Sequence, residues 1–220
     1  MSSLTALENF INRYHQAYQE SLGEPPRYYP RGEFSDCIIS DTELSDEQLL
    51  KQAVHWQAVK RESVASFDNV ERAMELQLSG DIDGLFSHYY SAPMIFSSPW
   101  GEGEIIQAWN QVDFEYLQQN LIGHLMMKLK LKQPPTWFFG VLGQGDEMLV
   151  VDNRDGSVWV EIPGEEPAKR LADSVSDFLM QLTPRVAPPV EIVEESMPQT
   201  DHPGIWHRLK IMWRNLRGSR

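Results

Sequence analysis

The sequence has little cysteine, few basic residues and no long apolar run. Its one cysteine, Cys37, cannot form an internal disulfide. No stretch of 18 apolar residues occurs, which excludes a membrane-spanning helix. The opening MSSLTALENFINRYHQ lacks a basic start and an apolar core, so it does not read as a secretory signal. Together these absences predict a soluble protein of a reducing cytoplasm. Basic residues number 19 against 32 acidic ones, a net charge of −13. Phosphate binding needs a basic footprint, so nucleic acid is not an expected partner.

Motifs that carry chemistry are absent as well. There is no GxxxxGK, no GxSxG elbow and no HExxH pair. Gly140, Gly143 and Gly145 are loosely spaced between two predicted strands, and read as a turn, because a phosphate cradle needs a helix N-terminus. The six histidines are scattered without ligand spacing. His124 reads as a buried histidine bonded to a carbonyl rather than a catalytic one. Cys37 lies in an apolar strand and reads as an inert core thiol. The acids are plentiful, but nothing marks a pair with split pKa values. The expectation is a protein that is not an enzyme, with no cofactor, no metal and no small-molecule substrate.

What is present centres on residues 113–139. Phe114, Leu117, Leu121, Leu125 and Leu129 step by three and four, one apolar stripe at helical period. Asp113 suits the positive end of that helix, and Lys128, Lys130 and Lys132 suit its negative end. Gln133-Pro134-Pro135 stops the helix, and Thr136-Trp137-Phe138-Phe139 follows as a strand. Gly123 in mid-helix costs about 1 kcal/mol relative to alanine, which implies an element crossing closely there.

Around this centre, residues 4–22 read as an amphipathic helix with Leu4, Leu7, Ile11, Tyr14 and Tyr18 on one face and Gly23 as its stop. Residues 24–36 are turn-rich and read as a surface excursion. Cys37–Ile39 is a short strand, 41–50 an acidic loop or short helix, and 54–59 is ambiguous. Ser66 or Asp68 starts a helix through Leu78 with Val70, Ala73, Met74 and Leu78 inward, and 81–88 is a second short helix. Strands are predicted at 94–96 and 104–109. A hairpin of 148–151 and 157–160 turns at Asn153-Arg154-Asp155-Gly156. Leu171, Val175, Phe178 and Leu182 mark a last core helix. The class is α+β: a mostly antiparallel sheet of about five strands backed by helices.

Beyond Leu182 the character changes. The chain divides into a globular domain at 1–183, a Pro-rich acidic linker at 184–204 that is expected to be disordered, and a basic amphipathic helix at 205–220. Residues 205–220 hold five basic residues and no acid. The total of −13 therefore leaves −18 for the remainder. Acids cluster at 41–47, 68–75 and 102–115. Such a surface attracts a basic partner, or serves only for solubility.

One block is specific enough to compare. Asn120-Leu121-Ile122-Gly123-His124-Leu125, a Lys-rich turn and Leu131-Lys132-Gln133-Pro134-Pro135-Thr136 resemble the centre of the Syd family, SecY-interacting proteins of Gram-negative bacteria. Cys37-Ile38-Ile39-Ser40, Asn69-Val70-Glu71-Arg72-Ala73, Trp109 and Phe178-Leu179-Met180-Gln181-Leu182 stand in that family's order. The resemblance runs from about residue 5 to about residue 185. It implies a fold like the Smi1/Knr4 group, a sheet backed by helices. It also implies binding to the cytoplasmic loops of the SecY channel, checking of improperly assembled SecY, and negative regulation of translocation from the cytoplasmic side of the inner membrane. Those loops are rich in Lys and Arg, so an acidic face fits them. Glu71, Asp113 and Glu115 are the expected partner-binding residues, with plain helix stabilisation as their alternative role. The second reading of the chain is an immunity-type protein that neutralises a basic toxin.

The tail lies beyond the resemblance. Pro203 suits a first helical turn and Gly218 an end. Trp206, Leu209, Trp213 and Leu216 form a stripe that Ile205 and Met212 widen. Arg208, Lys210, Arg214 and Arg217 border or oppose it. Such a helix fits an anionic membrane surface. It also fits the protein's own acidic body, or a partner groove.

Overall fold

The computed structural model describes residues 1–143 and 145–189. Residues 190–204 of the linker and the whole predicted helix 205–220 lie outside the described residues.

Helix α1 (Ser3–Leu22) begins where the Ser2 hydroxyl accepts the Thr5 N–H, and ends at Gly23, whose φ of 72° favours glycine. Its buried stripe is Ala6, Leu7, Phe10, Ile11, Tyr14 and Tyr18. Strands β1 (Arg27–Tyr28) and β2 (Ile38–Ile39) follow, then α2 (Asp46–Lys51), β3 (Val54–Trp56) and β4 (Val59–Lys60). A reciprocal Ser45–Gln48 capping box starts α2. The turn-rich excursion is thus partly structured, because β3 pairs with β1 on one side and β2 on the other.

Helices α3 (Asp68–Met74) and α4 (Asp81–Phe86) come next. The expected run through Leu78 stops early, since Glu75 turns left-handed at φ 49°, and Ala73 is exposed rather than inward. Strands β5 (Tyr89–Tyr90), β6 (Met94–Ser98) and β7 (Gly101–Ile105) lead to α5 (Gln111–Lys130). β5 pairs with β4. β7 starts three residues before the expected strand and ends before Trp109. Gly103 is required within it, because an added Cβ would strike the Val141 carbonyl and the Phe96 ring.

Then come β8 (Thr136–Leu142), β9 (Met148–Asp152), β10 (Val158–Glu161), β11 (Lys169–Ala172), α6 (Val175–Met180) and β12 (Thr183–Pro184). The last helix is shorter than expected, since Leu171 lies in β11. The main sheet has seven strands in the order β11-β10-β9-β8-β7-β6-β12, antiparallel throughout. The α+β class with a large antiparallel sheet is as the sequence predicts. The described strands exceed the expected five because several span only two residues, too few to leave a periodic signature.

Helices cover both faces of this sheet. Successive β8 side chains point opposite ways. Phe138 meets His124 of α5 at 5.7 Å, while Phe139 meets Phe178 of α6 at 5.5 Å. Every residue of β8 and β9 is therefore buried. α1 packs on α4 and α6, and Arg13 donates to the Leu182 carbonyl at 2.8 Å. The chain stays fastened past residue 183. Arg185 N–H donates to Ile95 O, and the Tyr18 hydroxyl bonds both the N–H and the carbonyl of Ala187.

Candidate functional site

Residues 1–189 hold 28 acidic and 14 basic residues, a net −14. The packing of α3 against α5 brings the three predicted binding acids onto two neighbouring helices. Phe67 meets Phe114 at 5.3 Å, and Asn69 donates to Gln118 at 3.0 Å. The three carboxylates have different settings.

Glu71 accepts the Leu78 N–H at 2.7 Å, so it fastens the link from α3 to α4. Asn153 supports the same link, accepting from Ser79 N–H and donating to the Gln77 carbonyl. Asp113 is half-buried and accepts the Trp109 N–H at 2.9 Å, while its own N–H caps onto Asn110. Burial raises its carboxyl above the usual range; the Trp109 N–H opposes that, and nearby Glu33 adds to it. Glu115 is exposed and accepts from Gln111 at 2.9 Å. Of the three, Glu115 presents its charge most freely. Beside Glu71, the residues Asp68, Arg72, Glu75, Leu76 and Gln77 line an open depression of about 510 Å³. Three acids and one arginine give it a negative balance.

A second polar group was not anticipated. Lys128 is 1% exposed and donates to Glu161 at 2.9 Å and to the Glu165 carbonyl at 3.2 Å. Thr136 donates to the same Glu161 oxygen at 2.8 Å, and His124 lies 3.0 Å from the Thr136 hydroxyl. Since that hydroxyl spends its proton on Glu161, His124 donates from Nε2, which leaves Nδ1 bare and without a partner. Burial and the Lys128 charge hold the His124 ring neutral, with a pKa of about 3. The buried-histidine expectation holds, and Thr136 is the residue it bonds. The cluster is sealed from solvent, which suits a structural ion pair and not a reacting centre. The sequence pattern makes Lys128 a last-turn cation. Its place seven residues after Leu121 and three after Leu125 was the missed signal, for that spacing returns to the buried face. Leu129, expected on the stripe, is 71% exposed.

Cys37 is fully buried, and burial lifts its thiol to about 11. Among the described residues, neither Gly140 nor Gly143 opens a helix, as a phosphate cradle requires. Gly140 sits inside β8, where a side chain would strike the Glu104 carbonyl at 2.5 Å, and Gly143 turns at φ 66°. Among the described residues no helix is long and apolar enough to cross a membrane. The membrane-contacting set Trp206, Arg208, Leu209, Lys210, Trp213, Arg214, Leu216 and Arg217 lies outside the described residues.

The fold and site define an acidic α+β protein whose accessible chemistry is a charged helical surface. The family model described as Syd protein (SUKH-2) matches residues 4–184. The chain is similar to Protein Syd of Shewanella loihica (strain ATCC BAA-1088 / PV-4), 58% identical over 220 residues, and to Protein Syd of Shewanella halifaxensis (strain HAW-EB4), 59% identical over 219 residues. Each alignment covers 100% of both chains, so these relatives also extend beyond the family-matched region. The chain belongs to the Syd family.

Proposed function

We propose that this protein is a non-enzymatic regulator that binds the basic cytoplasmic loops of SecY, checks improperly assembled channel and restrains translocation. It acts as a peripheral protein on the cytoplasmic side of the inner membrane. Family membership points to SecY, and the −14 body is the observation that carries the binding mode. Cytoplasmic loops are enriched in Lys and Arg, and an acidic surface steers and holds such segments. Glu115 and the acids of α3, Glu71 among them, are the contacts, with Asp113 holding the start of α5 behind them. The chain is organised as a 1–183 body, a 184–204 linker and a 205–220 helix that adds contact with an anionic bilayer.

Co-flotation of the full-length protein with SecY-containing and SecY-free vesicles tests this. Binding should favour SecY and weaken as the Debye length falls from about 10 Å at 0.1 M salt to about 3 Å at 1 M. Equal binding to both vesicles, or indifference to salt, refutes it. A soluble basic toxin captured in preference to SecY vesicles would support the immunity reading instead.

A further inference from the structure

The outer face of α5 is built for contact, yet no described element lies on it. Val112, Tyr116 and Met126 are exposed on this face at helical spacing, with Leu129 exposed on its flank. Between Tyr116 and Met126 sits Gly123, and a Cβ added there would meet nothing within 4 Å. The element predicted to cross at Gly123 is thus absent from the described body. Its φ is not positive, so neither backbone conformation nor internal packing requires glycine. A bare notch in mid-helix nevertheless costs about 1 kcal/mol relative to alanine. A second helix crossing here would use the notch, because the missing side chain lets backbones approach closely.

We propose that residues 205–220 of the same chain dock on this face when the protein is off the membrane. Three observations select that occupant. The first is shape: the α5 face runs from Val112 to Leu129, about 26 Å at 1.5 Å per residue, and the Trp206–Leu216 stripe would cover about 15 Å of it. Two tryptophans supply the large apolar area, and one of them fills the Gly123 notch. The second is reach. The chain is fastened at Ala187, and the segment 188–204 in an extended Pro-rich form spans about 50 Å at about 3.1 Å per residue. A domain of this size has a radius of gyration of about 16 Å, so the whole body is within range, and tethering gives a high effective concentration.

The third is charge order. α5 presents Glu115 near its start, and Lys130 and Lys132 are exposed at and just beyond its end. The C-terminal segment has the opposite layout when laid antiparallel: Glu191, Glu194, Glu195 and Asp201 come first, and Arg208, Lys210, Arg214, Arg217 and Arg220 follow. Antiparallel docking sets basic residues against Glu115 and the exposed Asp68 of neighbouring α3, and acids against Lys130 and Lys132. This contact rests on the 205–220 pattern and not on SecY binding, so the two fail separately.

Disulfide trapping in the full-length chain tests it. Gln119→Cys, exposed on the α5 face, is paired with Met212→Cys. The control pairs Glu20→Cys, exposed on α1, with Met212→Cys. Cys37 is buried and does not compete. In dilute, lipid-free solution the Gln119 pair should close intramolecularly at least about tenfold faster than the control, and Gly123→Arg in the same background should remove most of that advantage. Equal rates for the two pairs overturn the proposal. So does an intermolecular product that grows with protein concentration, which would make the occupant a second copy. An advantage that survives Gly123→Arg unchanged also overturns it.

Discussion

Replacing Lys128 by methionine isolates the buried ion pair. Methionine matches the length of the lysine stem, so packing is nearly conserved and the loss is electrostatic. Glu161 is 0% exposed and would keep the Thr136 hydroxyl as its remaining donor. Removing one partner of a buried pair costs about 3–5 kcal/mol, a large share of the 5–15 kcal/mol typical of a whole domain. The loss should depend on pH in a definite sense. Burial already raises the Glu161 carboxyl, and Lys128 is the main influence lowering it. Without the lysine its folded pKa rises further above the unfolded value. Such a group is no burden below its unfolded pKa, near 4.3, and becomes one as pH rises through the folded value. Each unit of separation is worth about 1.4 kcal/mol. Urea denaturation at pH 5 and pH 8 should therefore show a larger gap between Lys128→Met and the parent at pH 8. Lys128→Met with Glu161→Gln removes both charges, keeps an acceptor for Thr136, and should recover about 3 kcal/mol of the loss at pH 8. A single-variant cost below about 1 kcal/mol, or a gap that does not change with pH, refutes the assignment.

Other consequences are open to measurement. His124 is held neutral with a folded pKa of about 3, so its contribution is complete above the unfolded value near 6.5 and is lost as pH falls toward 3. His124→Leu should flatten the acid limb of a stability-versus-pH curve relative to the parent, by up to about 1.4 kcal/mol per pH unit; an unchanged limb argues against a buried neutral ring. Glu71→Ala should lose about 1–3 kcal/mol through the orphaned Leu78 N–H, while Glu71→Gln keeps an acceptor and stays near the parent. If both variants weaken SecY binding equally, the charge itself is a contact; unaffected binding by Glu71→Gln assigns the residue to folding alone. Gly103→Ala should destabilise by about 1–3 kcal/mol, since the methyl must displace strand backbone, and thermal melting would expose the error if it does not. The raised Cys37 thiol should resist a disulfide reagent at pH 8 in the native protein and react fully in urea.

The sequence by itself determined the long elements. α1 and α5 each carry enough turns for their stripes to average out single exceptions, and their stops are local: Gly23 adopts a left-handed turn, and Pro134-Pro135 forbids helix. The strands around Asn153-Arg154-Asp155-Gly156 were legible for the same reason, a turn that needs no distant partner. Family membership was also legible, because one block from Asn120 to Thr136 carried most of it. The tertiary structure alone decided what depends on a distant neighbour. Strands of two residues such as β1 and β12 exist only because β3 and β6 offer an edge to pair with. The spacing of Lys128 from Leu121 and Leu125 already turned it toward the buried face, but the partner that lets a charge stay there, Glu161 on β10, 33 residues away, came only from the fold. Glu71 and Asp113 likewise read as free charges until folding supplied Leu78 and Trp109 as donors. Sequence periodicity records which way a residue faces; it does not record which partner waits on that side.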